Sequence, residues 1–382
     1  MNDKELLEQL DGHLGSPNLT WLLGAGISYS ANVPLMVPLT DRVLAILSES
    51  RSSHLDLARR LLEELPGGSH VEHLLSHVGD YAALADRART KQVAISGEAV
   101  ARAALDELHR EIALGIANTV RWGYVARTDA SPEQMGRPGS AITKIDEHRN
   151  FIAASFRTAR AGLQERRGAV RFFTTNYDTL LEDALALNGV PYWDGFEGGA
   201  VAFRSRRLGD GDPPPGVPAQ LIKLHGSIDW HWSEDDGRLW RVRYGDTYPP
   251  VGQRVLIYPQ STKYLAAQRD PFAAQFDLFR RTLTSASDNV LAICGYSFGD
   301  DHINQEIELA LSRPGSKTTL IAFSQEPKDG TAVKMPACLD AWRNGPWGRR
   351  VYVVSQKGLY VGDRGPGFAP STGARSWWTF AG

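Results

Sequence analysis

Short, nearly continuous apolar runs alternate along the chain with longer stretches in which apolar residues recur at helical spacing. Each run is followed by a polar or glycine-rich turn, and its length is typical of a strand buried on both faces of a parallel sheet. The runs are LTWLL (19–23), AVRFF (169–173), QLIKL (220–224), RVLIY (254–258), NVLAIC (289–294) and TTLIAF (318–323). This alternation predicts an α/β fold with a doubly wound, mostly parallel sheet.

Residues 41–165 depart from this rhythm, because their apolar residues recur every three or four positions and no strand-like run is present. We therefore expect a helical insertion at 41–165 within an α/β domain formed by 1–40 and 166–327. Residues 328–382 carry one more strand candidate, RVYVV (350–354), and we expect them to form a C-terminal extension available for assembly.

Composition and charge exclude several functional classes. Lys and Arg number 42 against 44 Asp and Glu, a net charge of −2, so no direct nucleic-acid binding through a broad basic surface is expected. The two cysteines, Cys294 and Cys338, exclude a disulfide framework and any zinc site built from three or four thiolates. No run approaches the roughly 20 apolar residues of a membrane span, and MNDKELLEQLDGH lacks a signal-peptide core, which predicts a cytoplasmic protein without membrane contact.

Four glycine-rich or polar clusters directly follow predicted strands. They are Gly24-Ala25-Gly26-Ile27-Ser28, Thr174-Thr175-Asn176-Tyr177-Asp178, His225-Gly226-Ser227 and Gly295-Tyr296-Ser297-Phe298-Gly299-Asp300-Asp301. Open α/β sheets bind ligands at the carboxyl ends of their strands, so we expect the four turns to converge on one crevice.

Each cluster, taken alone, has a simpler alternative to a ligand site. Gly24 and Gly26 would let backbone N–H groups approach a diphosphate, but the turn lacks the third glycine of a dinucleotide fingerprint and also suits a tight turn with no ligand. Turn geometry alone explains Asn176. His225 is harder to explain as core filling, and histidine is the side chain best suited to proton transfer near neutral pH.

Acidic residues ahead of predicted helices also have a structural explanation. Thr179 and Glu182 have the spacing of a capping box, and Asp178 would be favoured there by the helix dipole. For Asp300 and Asp301 we favour the same helix-terminal role over catalysis.

Together, these motifs resemble the sirtuin (silent information regulator) family, in particular its bacterial zinc-free branch of NAD-hydrolysing antiviral defence proteins. The resemblance spans about residues 19–324 and implies a sirtuin-like, Rossmann-like fold with an NAD pocket. It implies that Asn176 holds the nicotinamide ribose or a water and that His225 is the catalytic base. It also implies that the glycine turn contacts the diphosphate and that Ser297 lies near a ribose. The NAD-binding residues that it implies are Gly24, Ala25, Gly26, Ser28, Thr175, Asp178, Gly295, Tyr296 and Ser297.

Two departures separate the chain from protein-deacylating sirtuins. Those enzymes usually carry a Gly-Ile-Pro-Asp-Phe-Arg pattern after the glycine turn, whereas Ser28 here leads into YSANVPLMVPLTD. They also carry two CxxC pairs for zinc after the His-Gly-Ser motif, where this chain reads IDWHWSEDDGRLW. His231 and His302 lack ligand spacing, so we expect no metal. These differences favour an NAD hydrolase and leave the deacylase as an alternative.

Hydrolysis of NAD needs few groups, because nicotinamide leaves as a neutral molecule and requires no general acid. A positioned water, a base and a site that tolerates an oxocarbenium ion are sufficient. The leading hypothesis is an NAD glycohydrolase (NADase) that gives nicotinamide and ADP-ribose in anti-phage defence by NAD depletion. The alternatives are an NAD-dependent protein deacylase and a non-catalytic NAD- or ADP-ribose-binding scaffold subunit of a defence complex.

The resemblance also implies how such an activity would be controlled. Uncontrolled NAD depletion would kill the host, so we expect a regulated homo-oligomer. By analogy with similar subunits, the regulator would be a defence partner such as a HerA-type ATPase. The aromatic pair Trp377-Trp378 near the end of the chain is a candidate assembly contact, although packing within its own subunit explains it as well.

Overall fold

The computed structural model describes residues 3–160, 169–205, 216–233, 237–243, 253–256, 271–284, 288–325, 335–368 and 380, so Trp377-Trp378 lies outside the described residues. The helices in this part are α1 (Asp3–Leu14), α2 (Met36–Glu49), α3 (Leu55–Glu63), α4 (Val71–Arg87), α5 (Arg102–Trp122), α6 (Asp146–Arg160), α7 (Leu180–Leu187), α8 (Phe272–Thr284), α9 (Asp301–Ser312) and α10 (Ala337–Asn344). None of these helices is long and apolar enough to cross a membrane.

Strands in the described ranges form two main sheets and two short pairs. They are β1 (Leu19–Leu23), β2 (Gln92–Ile95), β3 (Glu98–Ala101), β4 (Tyr124–Val125), β5 (Gln134–Met135), β6 (Val170–Thr174), β7 (Tyr192–Trp193), β8 (Phe196–Gly198), β9 (Val201–Arg204), β10 (Ala219–Lys223), β11 (Gly226–Trp232), β12 (Leu239–Val242), β13 (Gln253–Leu256), β14 (Val290–Cys294), β15 (Thr319–Phe323), β16 (Val351–Ser355), β17 (Gly358–Val361) and β18 (Arg364–Gly367).

Within the described ranges, the larger sheet has nine strands in the order β18-β17-β16-β15-β14-β1-β6-β10-β7. Every neighbouring pair from β16 to β7 is parallel, and β16, β17 and β18 are joined by antiparallel pairing at one end. This sheet and its helices confirm the predicted α/β, mostly parallel fold. The sheet continues beyond residue 327, because β16, β17 and β18 come from the predicted C-terminal extension.

Helices pack against both faces of this sheet. Consecutive residues of a strand face opposite sides, so each strand contributes apolar side chains to both layers of helices. Leu22 and Phe173 pack with residues of α8 and α9, including Phe279 and Ile307. The strand residues next to them in sequence, such as Phe172, pack on the opposite face with residues of α1, α6 and α7. The doubly wound arrangement is therefore confirmed, and buried apolar contacts on both sides fix the positions of the strand ends.

The smaller sheet has five antiparallel strands in the part of the chain that the structure describes, in the order β13-β11-β12-β9-β8. Our placement of the run at 254–258 in the parallel sheet is wrong, because β13 pairs antiparallel with β11 in this second sheet. An apolar run indicates burial but not the sheet that buries it. Residues 257–258 lie outside the described ranges.

Helices α3 to α6 lie within the segment 41–165 predicted to be a helical insertion, and α2 begins five residues before it, at Met36. The pairs β2–β3 and β4–β5 also lie there, which the apolar spacing did not indicate. The apolar faces of α2 to α5 share a core that also includes Tyr177, Leu180 and Ile228. Since Tyr177 lies between Asn176 and Asp178, the insertion packs directly against one of the four strand-end turns.

Candidate active site

The four strand-end clusters lie at one edge of the large sheet. They follow β1, β6, β10 and β14, which are adjacent and parallel in the order β14-β1-β6-β10. Their carboxyl ends therefore point the same way, as the sequence predicted. The His225 turn also joins the two sheets, because β10 ends at Lys223 and β11 begins at Gly226.

The glycine turn after β1 packs backbone to backbone against the turn after β14. A Cβ atom at Gly24 would lie 2.5 Å from the carbonyl oxygen of Gly295, and one at Gly26 would lie 2.8 Å from Gly295 Cα. The Gly24 N–H donates to Cys294 O at 3.0 Å and the Gly26 N–H donates to Gly295 O at 2.8 Å. Only glycine permits this approach, and these two N–H groups hold the turns together. The diphosphate contact of Gly24, Ala25 and Gly26 stays a prediction.

Ser28, at the end of the glycine turn, links two residues of the turn after β6. Its hydroxyl donates to Asp178 Oδ2 at 2.8 Å and accepts from Asn176 Nδ2 at 3.1 Å. All three residues are buried. Because a hydroxyl has one proton, its donation to the carboxylate requires it to accept from the Asn176 amide. This pattern fixes which end of the amide faces Ser28.

The opposite end of the same amide is directed away from this network. Asn176 Oδ1 is buried and makes no hydrogen bond within the described residues. A buried carbonyl oxygen without a partner is costly, by roughly 1 to 3 kcal/mol, unless a ligand or water supplies a donor. Asn176 Oδ1 is therefore an acceptor available to a hydroxyl group or a water. Thr175, next to it, is half-buried and donates its N–H to Leu23 O at 3.1 Å.

Asp178 caps the helix that follows it. Its Oδ1 accepts from the Leu180 N–H at 3.0 Å, at the beginning of α7. The predicted capping box of Thr179 and Glu182 is wrong, because the Thr179 side chain makes no cap hydrogen bond and Glu182 pairs with Lys223. Asp178 thus combines the helix-terminal role considered from the sequence with its contact to Ser28.

His148, on α6, was not identified from the sequence. Its Nε2 lies 3.4 Å from Ser28 Oγ, and its ring is wholly buried, 4.9 Å from the ring of Phe380. Burial lowers the pKa of His148 by more than the nearby Asp178 raises it. The lowered pKa keeps the imidazole neutral. A single histidine in an amphipathic helix carries no sequence signal for such a contact.

His225 and Asp300 meet across the sheet edge. His225 Nε2 lies 2.7 Å from Asp300 Oδ2, at ion-pair distance but without the alignment of a regular hydrogen bond, and both residues are buried. Asp300 is also the N-cap of α9, where its Oδ1 accepts from the His302 N–H at 3.2 Å. The helix-terminal role favoured for Asp300 is thus observed, and the contact with His225 is one that sequence reasoning missed.

Tyr296 and Ser297 differ in their surroundings. The Tyr296 hydroxyl lies within the loop itself, 3.1 Å from Asp300 O and 3.3 Å from the Asp300 N–H nitrogen. Burial and the nearby Asp300 raise the pKa of Tyr296, which therefore stays a neutral phenol. Ser297 is exposed. Phe298 adopts a φ of 58°, a left-handed conformation unusual for an aromatic residue, which tightens this loop.

A buried charged pair is bonded to the turn that contains Asn176. Lys223 Nζ lies 3.0 Å from Glu182 Oε1 and also donates to the backbone carbonyl of Asp178. Burial raises the pKa of Glu182, and the nearby Lys223 opposes this rise. Lys223 therefore ties the end of β10 to the turn after β6.

No group of three or more His, Cys, Asp or Glu side chains within the described ranges is arranged to hold a metal ion. Cys294 is buried in β14, and burial raises the pKa of its thiol to about 12. His231 is buried in β11, with its Nδ1 3.1 Å from Asp229 O.

Comparison with known families places part of the chain beside a known domain. The family model of the SIR2-like domain matches residues 170–344, a segment that contains Asn176, His225 and Asp300. This segment is therefore similar to the SIR2-like domain. No curated protein matches the chain significantly.

Among the solved structures that are similar to the chain, two Sir2 homologues have low sequence identity to it. One is a mutant Sir2 homologue in complex with ADP-ribose, with 14% identity, a TM-score of 0.36 and coverage of 84% of this chain and 86% of that one. The other is a Sir2 homologue in complex with NAD, with 12% identity, a TM-score of 0.34 and coverage of 84% of each chain.

Proposed function

We propose that the protein is an NAD glycohydrolase, which cleaves the bond between nicotinamide and ribose to give nicotinamide and ADP-ribose. The observation that carries this proposal is the position of Asn176 at the same sheet edge as His225, with a buried Oδ1 that has no partner among the described residues. The match of residues 170–344 to the SIR2-like domain supports it, because both residues lie in that segment.

The proposed roles follow from the chemistry of the reaction. Asn176 Oδ1 accepts a hydrogen bond from a ribose hydroxyl or from the attacking water. His225 takes a proton from the nucleophile while the oxygen of the nucleophile bonds to the anomeric carbon. The electron pair of the breaking C–N bond goes to nicotinamide, which leaves as a neutral molecule without a general acid. Burial of both side chains limits competing water.

We place the remaining parts of NAD where the sequence resemblance puts them. The diphosphate would lie against the turn from Gly24 to Ser28, and a ribose would lie near Ser297. The net charge of −2 is compatible with this placement, because backbone groups and helix N-termini can hold phosphates without a basic surface.

A test of the reaction class compares NAD alone with NAD plus an acetyl-lysine peptide. Purified protein is incubated with each, and nicotinamide and ADP-ribose are separated by chromatography. Peptide-independent release of both products supports the glycohydrolase. Release that requires the peptide would indicate a deacylase instead, and NAD binding without release would indicate a scaffold subunit.

We further propose that the enzyme acts in the bacterial cytoplasm in anti-phage defence by depleting NAD. We propose a homo-oligomer gated by a defence partner such as a HerA-type ATPase. The sequence resemblance alone supports this role. It is tested by measuring NAD in phage-infected cells that express the wild type or Asn176→Ala, since only the wild type should lose NAD. Light scattering of the purified protein gives the oligomer size.

A further inference from the structure

We propose that Asp300 is a positioning residue for His225, which fixes one tautomer of the imidazole and stabilises the imidazolium that forms during the reaction. This proposal rests on the proposed NAD hydrolysis. The contact joins His225 Nε2 and Asp300 Oδ2 at 2.7 Å. Both residues are buried, where a charged contact is screened less by water than on the surface.

Asp300 is itself held from three directions. Its Oδ1 accepts from the His302 N–H at 3.2 Å, and its carbonyl oxygen accepts from the Asn304 N–H at 3.0 Å. The Tyr296 hydroxyl lies within 3.3 Å of both the N–H nitrogen and the carbonyl oxygen of Asp300. These contacts leave Oδ2 as the carboxylate oxygen that faces His225, so the partner of the imidazole is fixed by the loop and by α9.

The carboxylate determines which imidazole nitrogen can act as the base. An ionised carboxylate only accepts hydrogen bonds, so its partner Nε2 must carry the proton and Nδ1 must carry the lone pair. The proton of the attacking water then moves to Nδ1, while the water oxygen bonds to the anomeric carbon and the C–N bond electrons go to nicotinamide. The product imidazolium is stabilised by Asp300 until its Nδ1 proton passes to solvent. Catalytic hydrogen bonds are often poorly aligned in the absence of substrate, so the alignment of this contact is compatible with the role.

A helix cap alone does not require this arrangement. The cap uses Oδ1, and Asn or Ser at an N-cap would serve equally well. Neither of those side chains supplies the negative charge that faces Nε2. The two roles of Asp300 can therefore be separated by substitution.

Asp300→Asn retains the cap and removes the charge, so its melting temperature should stay near that of the wild type. An amide that donates to Nε2 moves the imidazole proton to Nδ1, and kcat for nicotinamide release should fall by about 10²- to 10⁴-fold, as for the equivalent change in a serine protease triad. KM for NAD should change less than about three-fold, because substrate binding is not the step affected. Asp301→Asn, an exposed neighbour in the first turn of α9, should retain full activity.

A double substitution separates positioning from a structural effect. In the His225→Ala background, Asp300→Asn should cause no further loss of kcat, because residues that act as a unit are not additive. Asp300→Ser, which also caps but carries no charge, should repeat the loss if Asp300→Asn folds poorly. The proposal is overturned if a folded Asp300→Asn or Asp300→Ser variant keeps kcat within about three-fold of the wild type.

The tautomer of His225 can be determined without measuring enzymatic activity. In ¹⁵N NMR of histidine-labelled protein, with His225→Ala used for assignment, the wild-type His225 should carry its proton on Nε2 and Asp300→Asn should shift it toward Nδ1. A wild-type proton on Nδ1 would overturn the proposal. If the protein shows the expected tautomer but releases no nicotinamide, the role of Asp300 is supported and the proposed NAD hydrolysis is contradicted. Failure of the Asp300 proposal and failure of the proposed function are therefore distinguishable.

Discussion

The Ser28 hydroxyl donates to Asp178 Oδ2 at 2.8 Å, although 150 positions separate the two residues in sequence. This bond uses the only proton of Ser28, so the hydroxyl must accept from Asn176 Nδ2. The orientation of the proposed ribose-binding residue is therefore set by two turns that follow adjacent strands. Preorganisation of this kind reduces the rearrangement needed when substrate binds.

Ser28→Ala should impair catalysis through Asn176. The substitution leaves the Asn176 amide and the Asp178 carboxylate without their shared partner, so we expect kcat for nicotinamide release to fall at least about ten-fold. The unfolding free energy should fall by about 1 to 3 kcal/mol for the same reason. Ser30→Ala, on the exposed side of the same loop, is the matched control. Unchanged kcat in a folded Ser28→Ala variant would show that Asn176 needs no such orientation.

Gly295→Ala should destabilise the contact between the glycine turn and the turn after β14. Gly295 has a φ of 66°, and a Cβ atom there would lie 2.5 Å from the Ile27 backbone nitrogen. The left-handed conformation and the clash together should lower the unfolding free energy by at least about 2 kcal/mol. A Cβ atom at Gly299, in the same loop, would meet only the Ser297 hydroxyl among the described residues, at 3.3 Å, so Gly299→Ala should change the melting temperature little in thermal denaturation. Equal melting temperatures for the two variants would contradict the close backbone packing.

Lys223→Met should destabilise the protein by about 3 to 5 kcal/mol, because it removes the positive charge that lies 3.0 Å from the buried Glu182 carboxylate. The double substitution Lys223→Met with Glu182→Leu removes both charges and should recover most of this loss. Urea denaturation of the two variants measures the difference. A double variant no more stable than Lys223→Met would show that the pair does not act as proposed.

Acidification should destabilise the fold through His70, the N-cap of α4. Burial, with a smaller effect of His73, lowers the pKa of His70 to about 4, from 6.5. The unfolded chain therefore takes up a proton that the folded chain does not between these pH values, so stability is lost as pH falls from 6.5 toward 4. The half-buried ring keeps part of its solvent screening, and we expect an effect on the order of 1 kcal/mol.

The comparison variant for this effect is His70→Asn, which retains an N-cap side chain but does not titrate. Its melting temperature should fall less than that of the wild type between pH 6.5 and 4.5. Parallel pH profiles for the two proteins would exclude His70 as a source of acid sensitivity.

The sequence predicted the strand positions well, because apolar runs record burial directly. β1 begins and ends where LTWLL does, and β6 lies one residue later than AVRFF. The convergence of the strand-end turns also followed, since parallel neighbours share an edge. The sequence did not predict the smaller sheet, because the pairing between β11 and β13 depends on the path of the chain after His225.

Contacts within the candidate site were less predictable. Asp300 carries a helix-cap signal, and only the fold brings it to His225. The approach of His148 to Ser28 joins residues 120 positions apart and leaves no local pattern. Glu182 has capping-box spacing, but the buried Lys223 competes for its carboxylate. Long-range pairing of polar groups is decided by tertiary structure, which spacing within one segment does not record.

The most direct test of the central claim is the rate of nicotinamide release at saturating NAD for the wild type, Asn176→Ala and His225→Ala. Thermal melting confirms that each variant is folded, and the substitutions Asn344→Ala and His77→Ala, away from the strand-end turns, serve as matched controls. The account predicts that both site variants lose at least about 10²-fold in rate while both controls keep the wild-type rate. A folded Asn176→Ala or His225→Ala variant that releases nicotinamide within about three-fold of the wild-type rate would contradict it.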